Sequence, residues 1–145
     1  MQDKCSLIEL DNRTALEVNE TFLNTIALSL TQREVELIIT SSQEIQQINL
    51  EHRNINKSTD VLSFPYEDMP LAPLGSIVIS SEYVIQKAKE FQHTNSDELS
   101  LLFIHGLLHI SGYDHELDNG EMRLKEKELI EQFSLPKSLI IRTQG

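Results

Sequence analysis

The stretch from Leu99 to Ile110 constrains the fold more than any other part of the chain. It carries Leu99, Leu101, Leu102, Phe103, Ile104, Leu107, Leu108 and Ile110, which are apolar on nearly every side of a helix. A surface helix shows one apolar stripe, whereas a helix apolar all round must be wrapped by the rest of the fold. No apolar run approaches the roughly 18 residues of a membrane span, so the wrapping is done by protein and no membrane partner is expected. Asn95, followed by Glu98, gives a start resembling a capping box, and Gly112 can end the helix in a left-handed turn.

The remaining segments supply what such a helix needs around it. Ser6 to Leu10 reads as a first strand, and Ala15, Val18, Phe22 and Ile26 recur at helical spacing from Thr14 onward. Val35 to Thr40 contains Leu37-Ile38-Ile39, a β-branched run suited to a strand buried on both faces. Ser41 with Glu44 forms a capping box that starts a helix running to about His52. Thr59 to Phe64 reads as a strand stopped by Pro65. Met69 to Gly75 reads as a loop and Ile77-Val78-Ile79 as another strand. Ser80 or Ser81 can cap the next helix, which carries Val84, Ile85, Ala88 and Phe91. A last helix runs from about Asn119 to Phe133. The order β-α-β-α-β-β-α-α-α predicts an α/β fold in one domain spanning residues 1–145. Its sheet should be mixed and mostly parallel, of about four strands with one antiparallel, flanked by helices around the buried histidine-bearing one.

At 145 residues, 39% hydrophobic and 24% charged, the chain has the size and composition of one globular domain. The net charge of −11 excludes a protein held to nucleic acid by bulk positive charge, though not a nuclease with a local metal or a few arginines. Cys5 is the one cysteine, so neither an intrachain disulfide nor a cysteine zinc cluster can form. That suits a reducing compartment, and Met1-Gln2-Asp3-Lys4 does not read as a signal peptide. A cytoplasmic location is expected.

The chemistry concentrates in His105-Gly106-Leu107-Leu108-His109-Ile110-Ser111-Gly112-Tyr113-Asp114-His115. His105 and His109 stand one helical turn apart on one face. Gly112 lets the chain fold back, so that His115 can reach the same point. Three imidazoles with a fourth position left to water make a catalytic rather than a structural metal site. His52 and His93 lie outside the motif and are not expected as ligands. The spacing H-x-x-x-H-x-x-G-x-x-H is that of metzincin peptidases, but their general base follows the first histidine directly, and here that residue is Gly106. The ligand set is kept and the peptidase base is lost.

A second block, Leu50-Glu51-His52-Arg53 leading to Thr59-Asp60-Val61-Leu62-Ser63-Phe64-Pro65, joins the first. With Leu74-Gly75, Ile77-Val78-Ile79-Ser80, and Met122 and Glu126 in the last helix, the region from about Ile48 to Phe133 resembles the YbeY family. These are bacterial zinc-dependent endoribonucleases that mature ribosomal RNA. The N-terminal part up to about Gln47 agrees only in layout. The resemblance implies that His105, His109 and His115 are the ligands of one Zn²⁺, with His105 shared between metal binding and catalysis. It also implies that Arg53 is the arginine near the metal that holds or polarises an RNA phosphate. Where the family usually has an acidic residue after the glycine that stands here at Gly75, this chain has Ser76.

The function so implied is single-strand-specific hydrolysis of RNA phosphodiester bonds, in maturation of the small-subunit rRNA 3′ end and ribosome quality control. Water and a ribose 2′-OH both stand as nucleophiles. Asp114 could transfer a proton or orient a histidine, or simply be a turn residue; Tyr113 reads as a packing residue. Three imidazoles suit Zn²⁺, Ni²⁺ and Cu²⁺ alike. Between Arg33 and Lys87 the basic residues are Arg53 and Lys57, and residues 114–131 hold seven acids against three bases. Weak affinity for free RNA follows, so the expected substrate is ribosomal RNA presented on a particle or by ribosomal or assembly proteins, with no DNA. Two rival classes are a metallopeptidase, opposed by Gly106, and a non-catalytic ribosome-assembly factor using zinc as a clip, opposed by the open fourth ligand position.

Overall fold

The computed structural model describes residues 7–66, 72–113 and 120–136. Its elements are β1 (Ile8–Asn12), α1 (Glu20–Leu28), β2 (Val35–Thr40), α2 (Ser42–Arg53), β3 (Val61–Pro65), β4 (Gly75–Ser80), α3 (Ser81–Glu90), α4 (Asn95–Ile110) and α5 (Glu121–Gln132). The four strands form one sheet in the order β1-β2-β4-β3, with β1, β2 and β4 parallel and β3 antiparallel to β4. This is the expected α/β architecture. Among the described residues no helix is long and apolar enough to cross a membrane.

Strand alternation divides the core between the two faces of the sheet. Leu37, Ile39, Ile77 and Ile79 join the large cluster that contains Phe103, Ile104, Leu107 and Leu108 of α4. Leu62 and Val78 point the other way and pack with Ile45 of α2. Helix α4 is therefore the buried centre of the larger layer, and Phe103, Ile104, Leu107 and Leu108 have no exposed surface. Gly106 allows this: a Cβ there would lie 2.8 Å from Ile77 Cγ2, so only a bare helix face can come this close to β4.

The ends of α4 are chemically defined. Thr94 Oγ1 accepts from Asp97 N at 3.0 Å and Asp97 Oδ2 accepts from Thr94 N at 3.4 Å, a reciprocal capping box. The box lies one residue before the expected Asn95–Glu98 pair. Glu98 is unavailable for it, because its buried carboxylate meets His93 Nε2 at 2.7 Å. At the other end Tyr113 N donates to Leu108 O and Gly112 N to His109 O, a Schellman motif with Gly112 at φ +108°. The expected left-handed stop is present.

Several local details differ from expectation. Helix α1 begins at Glu20 rather than near Thr14, so Ala15 and Val18 precede it. Asn12 Nδ2 donates to Leu16 O while Thr14 N and Oγ1 donate to Asn12 Oδ1, and this side-chain turn competes with helix until Asn19 caps it. Strand β1 runs to Asn12, two residues further than read, because its parallel register with β2 continues to the pair Asn12–Ile39. Glu44 supplies only half of a capping box to α2. Its N–H reaches Ser41 Oγ, while its carboxylate turns to Thr40 Oγ1 and Arg13.

Strand β3 keeps Pro65 as its last residue instead of stopping before it. The bonds Ser80 N to Asp60 O and Tyr66 N to Leu74 O fix the parity of the ladder. Val61, Ser63 and Pro65 then turn their backbone groups to the free edge, where proline's missing N–H breaks nothing. Cys5 and Ser6 and residues 69–71 of the expected 69–75 loop lie outside the described residues.

Candidate active site

A cleft of about 660 Å³ opens along the free edge of β3. One wall is Thr59, Asp60, Val61, Leu62, Ser63 and Pro65. The facing wall is the C-terminal end of α4 with its exit turn: His105, His109, Ile110, Gly112 and Tyr113. Arg53 closes one side. Residues more than fifty positions apart in sequence thus meet around one cavity.

The two described histidines are held by α4. Their spacing sets the rings on one face, with centroids 4.8 Å apart and planes at 78°. His105 is partly exposed toward the cleft, with 29% of its side chain accessible. Its Nδ1 lies 2.8 Å from Glu126 Oε2 of α5, a carboxylate with 4% of its side chain exposed. This contact was not foreseen from sequence. The signal for it is Glu126's place in the stripe Met122, Glu126, Leu129, Ile130, where an acid takes a position a core residue would fill.

Arg53 is the last residue of α2, one step beyond the expected helix end, and Asn54 stops the helix at φ +59°. One turn earlier the buried Asn49 donates from Nδ2 to Lys57 O at 2.9 Å, tying the connection after α2 back to the helix. Arg53 itself is exposed.

The other expectations sort as follows. His52 packs its ring 5.4 Å from that of Phe64 and does not line the cleft. His93 is buried at the far end of α4 against Glu98. Tyr113 lines the cleft and packs on the main core. Ser76, the departure from the family pattern, is buried in β4 opposite Phe64. Asp114 and His115 lie outside the described residues. Among the described residues no three His, Cys, Asp or Glu side chains form a metal-holding group.

The donor set that is described fits a divalent metal. Two imidazoles share a helix face at a cleft mouth, and one of them is braced through its Nδ1 by a buried carboxylate, a common arrangement behind metal-binding histidines. The left-handed turn at Gly112 redirects the chain immediately before the third expected ligand.

Comparison with known proteins places the chain in a family. The family model described as "Endoribonuclease YbeY" matches residues 2–134. A protein named endoribonuclease YbeY from Sulfurimonas denitrificans is 58% identical over 139 residues, covering 96% of this chain and 100% of its own. One of the same name from Aliarcobacter butzleri is 57% identical over 140 residues, with 94% and 99% covered. The solution structure of TM1509 from Thermotoga maritima superposes with a TM-score of 0.61 at 29% identity, covering 87% of this chain and 88% of that one. With a match over nearly its whole length and relatives this similar, the chain belongs to the endoribonuclease YbeY family.

Proposed function

We propose that this chain is an endoribonuclease that cleaves single-stranded RNA in the cleft between β3 and α4, using one Zn²⁺ held by His105, His109 and His115. The observation that carries the reading is the shared cleft of Arg53, His105 and His109. When bound, zinc supplies Lewis acidity toward a phosphoryl oxygen and acidifies water. His105 and His109 contribute neutral ring nitrogens from a rigid helix. Arg53 offers a planar, permanently charged fork to phosphate oxygens and to the negative charge that grows on them. The edge of β3 forms the wall along which an extended strand can lie.

A peptidase reading finds no support. The position that would carry its base is Gly106, and the space beside it is filled by Ile77. The substrate we infer is ribosomal RNA presented on ribosomal particles in the cytoplasm, with the whole chain acting as one catalytic domain. A net charge of −11 argues against tight capture of free RNA. The test is to incubate zinc-loaded protein with defined single-stranded RNA and with immature small subunits, beside His109→Ala and Arg53→Ala. Cleavage by wild type and loss in both variants is expected. Equal cleavage by all three would refute the assignment.

A further inference from the structure

We infer that Glu126 is a positioning residue of the metal centre: its buried carboxylate fixes which nitrogen of His105 faces the zinc and how the ring is turned. The inference rests on the reading of His105, His109 and His115 as ligands and adds a fourth residue to that site.

The argument begins with cost. Glu126 is 3% exposed and sits in α5 beside Met122, Leu129 and Ile130, which are fully buried. A buried carboxylate is expensive unless hydrogen-bonded. Among the described residues its one polar contact is His105 Nδ1, at 2.8 Å. The neighbouring base Lys125 pairs with Glu128 at 2.7 Å instead. Replacing both partners of such a buried pair by apolar residues commonly leaves stability equal or higher. Stability therefore does not account for the acid.

Geometry does. A carboxylate only accepts hydrogen bonds, so His105 Nδ1 donates and the lone pair belongs to Nε2, across the ring. The two partners stand 21 residues apart in sequence on two helices, each anchored in the core. The ring of His105 is thereby set before any metal arrives.

The test uses the full chain and Zn²⁺ itself, in competition with a chromophoric chelator. Wild type, Glu126→Leu, Glu126→Gln and His109→Ala are compared, and the melting of each metal-free protein is recorded. Wild type should bind one equivalent, and His109→Ala should bind none tightly. Glu126→Leu should bind about 10- to 100-fold more weakly. Its metal-free melting temperature shows whether the fold is kept, so that a loss of affinity can be read apart from a loss of structure. Glu126→Gln, which can still accept from Nδ1, should fall between. In metal-free wild type near pH 8.5, nitrogen NMR should find the His105 proton on Nδ1.

Undiminished zinc affinity in Glu126→Leu, or a lower melting temperature with unchanged affinity, would make Glu126 a structural residue and overturn the inference. Should Glu126→Leu fail to fold, the NMR measurement on wild type decides, and a proton on Nε2 overturns it. If wild type fails to bind one equivalent, or His109→Ala binds like wild type, the metal reading fails and takes this inference with it.

Discussion

Gly106 and Arg53 carry the residue-scale argument in opposite ways. Gly106 is defined by what cannot be added: a Cβ would meet Ile77 Cγ2 at 2.8 Å. Gly106→Glu rebuilds the peptidase pattern on paper, yet it overpacks the α4–β4 contact and buries a charge. We expect it to lower thermal stability by at least about 1–3 kcal/mol and to yield no peptide cleavage, measured by calorimetry and a generic protease assay. Arg53 is defined by what it reaches. Arg53→Ala should keep fold and zinc but lower RNA cleavage by about two to three orders of magnitude, the loss expected for one transition-state donor. Arg53→Lys should recover only part, since an ammonium lacks the bidentate fork. His105 and His109 were legible in the sequence because helical spacing alone sets them on one face. Arg53's neighbourhood was legible only through family resemblance, because it comes from an element packed on the opposite face of the sheet. Glu126 enters the sequence reading only as part of the family resemblance, because one acid among several in a mixed-charge helix looks solvated until the apolar stripe around it is counted.

The elements that hold these residues respond to different physics. Helix α4 was readable from its hydrophobicity, and its stop from Gly112, since both depend on local chemistry. Gly112→Ala forces a left-handed conformation on a residue with a Cβ. It should cost about 1–2 kcal/mol, or a few degrees in Tm by thermal melting. It should also weaken zinc binding if, as proposed, His115 in the segment after this turn is a ligand. Phe103 has no exposed surface, and Phe103→Ala should cost about 3–5 kcal/mol by denaturant unfolding. The start of α1 was misread because Asn12, Thr14 and Leu16 bind one another in a turn that hydrophobic periodicity does not register. The one-residue slip in the α4 cap has a similar origin. Glu98 is the stronger sequence signal, but a buried partner, His93, claims it. Local competitors for a side chain's hydrogen bonds are what periodicity leaves out.

At the scale of the whole molecule, sheet order and charge set the terms of binding. Placing β3 at the edge leaves a cleft between strand and helix, with Arg53 and Asp60 on its walls, in a chain of net charge −11. Few phosphate contacts can be made from such a surface. Binding of single-stranded RNA should therefore show a shallow salt dependence, and Arg53→Ala should reduce the slope by about 0.7. The central claim is that Arg53 and the histidine centre act together on RNA in one cleft. The most direct measurement follows cleavage of one defined single-stranded RNA by wild type, His109→Ala and Arg53→Ala, each with its zinc content determined on the same sample. The account predicts zinc and cleavage in wild type, neither in His109→Ala, and full zinc with cleavage reduced at least about a hundredfold in Arg53→Ala. Undiminished cleavage by zinc-replete Arg53→Ala, or by zinc-free His109→Ala, would contradict it.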